Sequence, residues 1–501
     1  MKRLGAMLLS LCLLLTTCTA LASENEQKTY IMAGYDGENT YRTWETNLFF
    51  ARMEEKTGIH FSFNQYSSSD AWQKAKDSMT KESEDLPDVL FKAELTSSEC
   101  ETLYEKGVLI DLLPLLEENC PNLWKLLQEN PDYLKQISLS GGQVVALPYI
   151  SGAPAQNCMW INKKWLQTLN LDEPTDLDSL VTVLKAFKEN DPNRNGKADE
   201  IPLAFLGPFD LKFLAHAFGL TCNDYNIFEK DGKAYFMPLE ENFRPFIEWC
   251  REMYASGLFD RDGFTTADTL RTVSDSDAAQ TYGIVLTSSP SNIMPSDWLT
   301  DYEVLMPLYY DGKQVYRSFI GNLFRGTFAI TSKCDDPAAL LRWVDTLYGE
   351  EGSKLASVGL ENVDYVVDGD GTWRVTDSVK ENTYFSAETL IVSGSTPPGA
   401  SCDEFQTHYN DSSVAELSKQ LIELNQIATR PFPYYDLTDE QIAEITPLQN
   451  EIGYYVDMQI ARWVLGEEEI SDESFAAFEE TLQEKGLDQF MTFWQNILDN
   501  L

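Results

Sequence analysis

Short apolar runs alternate with amphipathic stretches along the N-terminal part of the chain, from Lys28 onward. The apolar runs have the length of strands, and the stretches between them carry apolar residues at helical spacing. The predicted strands are Lys28–Tyr35, Ile59–Phe63 and Leu86–Phe91, and the predicted helices are 41–57, 70–82 and 97–106. This alternation predicts an α/β fold with a mainly parallel sheet and helices on both faces.

Polar residues directly follow two of these predicted strands. Tyr35 and Asp36 end the first strand, and Lys92 comes after the third. Ligands of parallel sheets bind beyond the carboxyl ends of the strands, where neighbouring strands bring their loops together. Tyr35, Asp36 and Lys92 are therefore candidate ligand-binding residues.

The later part of the chain has the same alternation with more helix. Asp231-Gly232 between two short apolar runs predicts a hairpin, and Asp336 before Pro337 predicts a helix start. Further predicted strands are Tyr282–Leu286 and Phe328–Ile330, and further predicted helices are 209–219, 239–256, 412–427, 438–464, 471–485 and 487–500. No stretch after the N-terminus approaches the roughly 18 apolar residues of a membrane-spanning helix.

One polar stretch, residues 191–202, places oxygen-bearing side chains at alternate positions. It follows the pattern of a calcium loop, in which Gly196 stands where the chain turns sharply. The predicted calcium ligands are Asp191, Asn193, Asn195, the carbonyl of Lys197, Asp199 and Glu200. Carboxylate, amide and carbonyl oxygens are the ligands that Ca²⁺ prefers, so the sequence predicts a structural calcium ion here.

The loop departs from an EF-hand at its last position. Pro202 stands where an EF-hand has a bidentate glutamate, so Glu200 would have to take that role. The alternative interpretation is a polar turn built from Asx side chains and a glycine, without a metal. A helix precedes the loop; Thr175 is its predicted N-cap, and Asp178 completes a predicted capping box.

Three motifs between residues 160 and 202 stand in a fixed order. They are a W-L-x-x-L-x-L segment from Trp165, a P-T helix start at Pro174, and D-P-N-x-N-G-x-x-D-E-I-P from Asp191. In this combination the chain resembles the extracellular solute-binding proteins of family 1. These are the substrate-binding lipoproteins of ABC importers, and the resemblance is to the LplA-like and alginate-binding-protein-like subgroup.

The resemblance implies a type II periplasmic-binding-protein-like fold, with two α/β lobes joined by a hinge and a ligand cleft between them. It implies a lobe 1 of residues 23–150 plus about 326–400, and a lobe 2 of 151–325 plus about 401–501. Gly152 and Pro154 suit a hinge at 150–157, although the local sequence fits an ordinary surface loop equally well. A monomer that captures an oligosaccharide or related carbohydrate, without catalysis, and delivers it to an ABC permease is the implied function.

Residues 1–22 predict a signal peptide. A basic pair precedes an apolar run that ends at Leu15 and is too short to remain in a membrane. Cleavage after Ala22 fits the small residues there, whereas the alternative is a lipoprotein signal with lipid on Cys18. Both alternatives predict an exported protein that is extracellular or held at the cell surface.

The charge balance is strongly acidic. Loss of residues 1–22 removes two of 38 basic residues and none of 80 acids, so the mature charge is 36 − 80 = −44. A surface of this sign repels nucleic acid and shows no basic cluster for a polyanionic ligand. Of nine cysteines, two fall in residues 1–22, and the remaining 9 − 2 = 7 lack C-x-x-C spacing. Their scattered positions predict no framework of disulfides. One disulfide among them is an alternative that the sequence leaves open.

Catalytic machinery is hard to assemble from this sequence. His60, His216 and His408 are the three histidines, and none has a second metal ligand at the usual spacing. Two acidic residues could act as the catalytic carboxylates of a glycosidase. The sequence cannot show whether two carboxyl groups lie about 5–10 Å apart, as that mechanism requires. The alternatives to transport are a secreted carbohydrate-active enzyme of the glycosidase type and a surface carbohydrate adhesin or sensor.

Aromatic residues are plentiful, with 11 Trp, 23 Tyr and 26 Phe. Sugar rings stack on aromatic faces while Tyr and Trp add a polar group, so rings in loops or at strand ends are cleft candidates. The further candidates chosen on this basis are Tyr149, Trp298, Arg325 and Trp373. Burial in a core is the alternative for each of them.

Overall fold

The computed structural model describes residues 28–38, 43–153, 157–264, 273, 278–318, 322–435 and 437–500. The predicted signal peptide, Cys18 and Pro154 lie outside the described residues. Within them, no helix is both long and apolar enough to cross a membrane.

The strands are short, and most are paired in two separate sheets. Their bounds are β1 Thr29–Tyr35, β2 His60–Tyr66, β3 Val89–Phe91, β4 Leu147–Ile150, β5 Cys158–Asn162, β6 Ile201–Ala204, β7 Ile227–Lys230, β8 Lys233–Phe236, β9 Tyr282–Thr287, β10 Tyr302–Leu305, β11 Tyr309–Tyr310, β12 Lys313–Gln314, β13 Tyr316–Arg317, β14 Leu323–Ile330, β15 Tyr365–Val367, β16 Trp373–Val375, β17 Gly399–Ala400 and β18 Ala428–Thr429.

Helices surround the sheets and dominate the C-terminal part. Their bounds are α1 Leu48–Thr57, α2 Ser69–Ser78, α3 Ser97–Glu105, α4 Leu113–Asn119, α5 Pro121–Glu129, α6 Pro131–Ile137, α7 Lys163–Leu169, α8 Leu177–Glu189, α9 Gly207–Leu211, α10 Phe243–Ala255, α11 Pro337–Asp345, α12 Glu350–Ser357, α13 Asp377–Glu381, α14 Phe385–Thr389, α15 Asp403–Gln406, α16 Ser412–Ile427, α17 Asp439–Leu465, α18 Asp472–Glu484 and α19 Leu487–Asp499. Short 3₁₀ turns are Trp44–Thr46, Lys212–Phe218, Met237–Leu239, Pro290–Asn292, Ser296–Asp301 and Thr346–Tyr348.

The first sheet has six strands in the order β17-β4-β14-β3-β1-β2. β1 lies between parallel neighbours β2 and β3, and β14 runs antiparallel to both β3 and β4. Along β1, Met32 enters one hydrophobic core and Ala33 enters another, so both faces of the strand are covered. Burial on both faces is the reason that β1 and β3 are almost continuously apolar.

The second sheet has four strands in the order β10-β5-β9-β6. β6 is parallel to β9, whereas β5 is antiparallel to both β9 and β10. Its main core contains Trp165 and Phe187, whose rings meet edge to face at 5.2 Å, together with Trp463 and Trp494 from the C-terminal helices. The C-terminal helices therefore belong to the core of the second sheet.

The chain leaves the first sheet after β4, returns to it at β14 and leaves again after β17. Each sheet has its own hydrophobic cores, so the molecule has the two α/β lobes of the predicted fold class. We call them lobe 1, around the six-stranded sheet, and lobe 2, around the four-stranded sheet. The lobe bounds written above in residue numbers stay a prediction.

One predicted helix cap is wrong by a single residue. Asp176, rather than Thr175, is the N-cap of α8, because its side chain accepts the amide hydrogen of Ser179. Ser179 completes the capping box by accepting from the Asp176 amide at 3.0 Å, so Asp178 has no part in it. Threonine and aspartate are both good N-caps, and the sequence offers them side by side.

Candidate functional site

The two sequence-predicted ligand loops lie at the same edge of the first sheet. β1 and β3 are parallel, and both end at this edge, followed by Asp36 and Lys92 respectively. β14 is antiparallel to β3 and β4, so it begins where they end, and Arg325 lies near its start. This edge also carries the connections to lobe 2, as expected for a cleft between lobes.

Asp36 and Lys92 form an ion pair that is almost fully buried, with 3% and 1% of their surfaces exposed. The Lys92 ammonium donates to the Asp36 carboxylate and, at 2.8 Å, to the carbonyl of Ser393. Gln65 donates to the same carboxylate at 3.5 Å. The pair therefore joins loops from three parts of lobe 1 beneath the edge, and each charge compensates the other.

Glu38, which follows the end of β1, is a residue that the strand-end argument above did not select. Its carboxylate accepts the amide hydrogen of Ser69 at 2.6 Å and the hydroxyl hydrogen of Tyr35 at 3.1 Å. The Ser69 hydrogen bonds lower the pKa of the exposed Glu38 carboxyl, which stays ionised. Its position three residues after the end of β1 is a signal that the strand-end rule could have used.

Tyr149 and Arg325 lie on neighbouring strands of lobe 1. Tyr149 is half-buried with its ring 6.3 Å from that of Phe324, and burial raises its pKa. The Arg325 guanidinium lies 4.9 Å from the ring centre of Tyr434, which belongs to lobe 2. The register of β14 against β4 shifts between Phe324 and Phe328, at a β-bulge that includes Arg325.

The bulge depends on a glycine. Gly326 has φ of 71°, and a Cβ there would lie only 2.0 Å from the carbonyl oxygen of Leu95. A groove of about 640 Å³ beside Arg325 has walls from both lobes, with Glu101 on one side and Tyr434 on the other. The structure therefore brings Arg325 to an interlobe surface.

Trp298 and Trp373 are each only 4% exposed and belong to hydrophobic cores. Trp298 belongs to a core of lobe 2, beside Trp160 and Tyr302. The Trp373 ring stacks on Phe405 at 4.8 Å and donates its N–H to the Phe405 carbonyl at 2.7 Å. The structure thus groups Tyr35, Asp36, Lys92, Tyr149 and Arg325 around one edge, and leaves these two tryptophans in cores.

The predicted calcium loop lies between α8 and β6 and is folded by a series of Asx turns. Asp191 accepts from the amides of Asn195 and Gly196, each at 3.0 Å. The side-chain oxygen of Asn193 accepts from Asn195 at 3.0 Å, and that of Asn195 accepts from Lys197 at 2.7 Å. Positive φ values at Asp191, Arg194 and Gly196 allow the tight winding.

The two asparagines of the loop also meet its downstream acid. The side-chain nitrogens Nδ2 of Asn193 and Asn195 donate to Asp199 Oδ1 at 3.1 and 3.0 Å, respectively. Beside them, Glu200 Oε1 is buried and has no hydrogen-bond partner. Burial, then the charges of Asp199 and Asp191, raise the pKa of Glu200.

The donor set of the loop fits a calcium ion. Glu200 Oε1 has no hydrogen-bond partner and lies beside two further carboxylates, so a bound divalent cation would offset their mutual repulsion. The other predicted ligands are neutral amide and carbonyl oxygens, which Ca²⁺ also accepts. Among the described residues, no group of three or more His, Cys, Asp or Glu side chains is arranged to hold a metal. A calcium site here would rely on asparagine and backbone oxygens as well as acids.

The three histidines occupy structural positions. Buried His216 is held between the Phe213 carbonyl, at 2.5 Å from Nδ1, and the Leu308 amide, which donates to Nε2 at 2.9 Å. His60 pairs with Glu54, and His408 bonds its own helix turn. His408 Nδ1 also lies 3.0 Å from the hydroxyl oxygen of its chain neighbour Thr407.

Comparisons with known proteins find both similar sequences and similar folds. No family model matches the sequence. FusA of Streptococcus pneumoniae, the fructooligosaccharide ABC transporter substrate-binding protein, is 26% identical over 474 residues, covering 90% of this chain and 86% of FusA. Lipoprotein LipO of Bacillus subtilis is 29% identical over 164 residues, covering 31% of this chain and 30% of LipO.

Solved structures share the fold. FusA in complex with kestose superposes with a TM-score of 0.65 at 24% identity, covering 94% of this chain and 99% of that one. A human-milk-oligosaccharide-binding, ABC-transporter-associated solute-binding protein from Bifidobacterium longum infantis gives 0.71 at 21% identity, with 94% and 99% covered. The chain therefore has the type II solute-binding fold, with two α/β lobes, and along almost its whole length it is similar to FusA, a substrate-binding protein of an ABC transporter.

Proposed function

We propose that this protein is the extracellular substrate-binding component of an ABC importer, and that it captures a neutral oligosaccharide in the cleft between its lobes. The observation that carries the proposal is the relation to FusA, a fructooligosaccharide-binding protein, over 90% of this chain. The carbohydrates named for two structural relatives, kestose and human-milk oligosaccharides, are consistent with capture of an oligosaccharide. Closure of the lobes would then present the loaded protein to a membrane permease.

The chemistry of the cleft edge supports a neutral ligand. Glu38 is an exposed, ionised carboxylate whose position is fixed by Ser69 and Tyr35, and it can accept hydrogen bonds from sugar hydroxyls. Asp36 and Lys92 cancel one another's charge below it. A uronic acid at this edge would face Glu38 with a like charge, whereas a hydroxyl would not.

Binding without turnover is part of this proposal, and the similarity to substrate-binding proteins and the contacts of the histidines support it. The named relatives are substrate-binding proteins rather than enzymes. The alternative is a secreted carbohydrate-active enzyme, and it makes a different prediction, because the bound glycan would be cleaved.

The test is a thermal-shift screen of kestose, nystose, other neutral oligosaccharides and oligogalacturonates. A ligand at 100 times its Kd stabilises the folded state by about 2.7 kcal/mol. We expect a raised melting temperature with at least one neutral glycan and none with oligogalacturonates. Stabilisation by acidic glycans alone would contradict the neutral-ligand proposal, and cleaved glycan recovered after incubation would contradict binding without turnover.

Calcium is the proposed structural cofactor. Asp191, Asn193, Asn195, the Lys197 carbonyl, Asp199 and Glu200 would hold it, and the orphaned Glu200 oxygen supports this assignment. A solved structure of an EF-hand mutant of FusA is consistent with a loop of this kind in a relative. The ion would fix the join between α8 and β6, so its binding free energy would add to folding stability.

Export and anchoring complete the proposal. Residues 1–22 would direct the chain out of the cytoplasm, with either cleavage after Ala22 or lipid attachment at Cys18. Mass spectrometry of the protein from its native membrane fraction distinguishes the two, because a lipidated form begins at Cys18. Delivery of the ligand as a monomer to a permease is the proposed partnership.

A further inference from the structure

Three connections between the lobes come together at Gly152. Gly152 lies in the first connection, two residues after the end of β4. Ser401 and Asp403 lie in the third connection, directly after β17. Asn425 lies near the end of α16, a long helix whose Leu424 enters a core of lobe 2.

The polar groups of Gly152 are held from two directions. Its amide donates to Asp403 Oδ2 at 2.8 Å and to Ser401 Oγ at 3.1 Å. The Ser401 hydroxyl bonds the same Asp403 oxygen, so serine and carboxylate form one acceptor unit. The Gly152 carbonyl accepts from Asn425 Nδ2 at 2.6 Å. One peptide segment is therefore bound both to the third connection and to lobe 2.

Backbone hydrogen bonds extend the junction to the second connection. The Ser151 amide donates to the Asn322 carbonyl at 2.8 Å, just before β14. The Ser401 amide donates to the Ile150 carbonyl, also at 2.8 Å. All three connections are thus joined within a few residues of Gly152.

A side chain at residue 152 would displace this arrangement. A Cβ on Gly152 would lie 2.9 Å from Asp403 Oδ2, closer than a normal contact. No left-handed backbone requires glycine here, because residue 152 is absent from the positive-φ positions among the described residues. The glycine is instead accounted for by the approach of the carboxylate.

We propose that Gly152, Ser401, Asp403 and Asn425 form a hinge clamp that holds the lobe arrangement seen in this structure. Hinge proteins absorb lobe rotation in a few connecting residues. Asn425 moves with lobe 2, whereas Gly152 follows β4 of lobe 1, so rotation about this point changes the bond between them. Asp403 and Asn425 are positioning residues, because they set the population of lobe arrangements.

The test uses Asp403→Ala and Asn425→Ala, with Glu404→Ala and Gln426→Ala as matched controls. Each control is an exposed neighbour on the same helix. Hydrogen exchange of the Gly152 amide reports the clamp, and small-angle scattering of the sugar-free protein reports the lobe arrangement. We expect about tenfold faster exchange in Asp403→Ala, altered scattering in both clamp variants, and wild-type behaviour in both controls.

Gly152→Ala should disrupt the same clamp, because the added Cβ would lie too close to the Asp403 carboxylate. We expect it to reproduce the altered scattering. Melting temperatures within a few degrees of wild type would show that all the variants remain folded. Unchanged exchange in Asp403→Ala, or scattering equal to the controls in all three clamp variants, would overturn the proposal. Neither readout needs a sugar, so failure of the proposed function would be visible separately, as a wild-type protein that binds no glycan.

Discussion

The buried pair of Asp36 and Lys92 gives the sharpest prediction about lobe 1. Removing one partner of a buried ion pair leaves an uncompensated charge, which typically costs about 3–5 kcal/mol. Both side chains are nearly inaccessible, at 3% and 1% exposure, so little of this cost is relieved by water. We therefore expect Lys92→Met to destabilise lobe 1 by about 3–5 kcal/mol.

The corresponding melting shift can be estimated. One kcal/mol lowers the melting temperature of a unit of this size by about 2–4 °C, so Lys92→Met should lower it by about 6–20 °C. Adding Asp36→Asn to Lys92→Met removes the orphaned charge, so the double variant should be more stable than Lys92→Met alone. Differential scanning calorimetry resolves this, because the two lobes can melt as separate transitions.

Lys125→Met is the matched control. Lys125 pairs with Glu129 at 3.8 Å on the surface, and both side chains are more than half exposed. Such a pair contributes about 0–1 kcal/mol. A Lys92→Met shift no larger than that of Lys125→Met would refute the reasoning, as would a double variant less stable than Lys92→Met.

Three further predictions concern other parts of the molecule. Chelation with EDTA should lower the melting temperature, and Asp191→Ala should do the same and abolish the response to EDTA. Melting curves that change with neither EDTA nor Asp191→Ala would support a polar turn without a metal. Burial lowers the pKa of His216 to about 4 in the folded state, whereas its pKa in the unfolded state is about 6.5. As the pH falls, the unfolded state therefore binds the proton first. The folding stability should decrease between about pH 6.5 and pH 4. Denaturant titrations should show the stability gap between wild type and His216→Gln narrowing by about 3 kcal/mol over that range, and a constant gap would contradict a buried neutral imidazole. Glu38→Gln should weaken the affinity for a neutral oligosaccharide about tenfold in calorimetric titration without changing the melting temperature, since the amide keeps the shape but not the charge; unchanged affinity would remove Glu38 from the site.

Local chemistry made much of the fold predictable. The predicted helix boundaries at 57 and 471 agree with the structure, because Gly58 has a left-handed conformation and the Ser471 side chain caps α18. The strands β1 and β9 could be predicted from their apolar runs, because strands buried on both faces are apolar along almost their whole length. Where two capping residues stand together, as at Thr175 and Asp176, only the structure selects one.

The candidate site was less predictable, because its parts come from distant segments. The strand-end rule identified Asp36 and Lys92, but their mutual burial depends on an ion pair across 56 positions. Trp298 and Trp373 were candidates because they were predicted to lie in loops or at strand ends, yet a 3₁₀ turn and a hairpin place them in cores. The hinge clamp joins residues 273 positions apart at Gly152 and Asn425, and no local pattern announces such a contact.

Native mass spectrometry of the calcium-loaded protein with a mixed panel of neutral and acidic oligosaccharides tests the central claim most directly. One spectrum reports the stoichiometry, the mass of the bound glycan and any cleavage product. The account predicts a single intact neutral oligosaccharide bound per chain, with no shorter product after prolonged incubation. Binding of acidic glycans only, accumulation of cleaved sugar, or no complex with any glycan in the panel would contradict it.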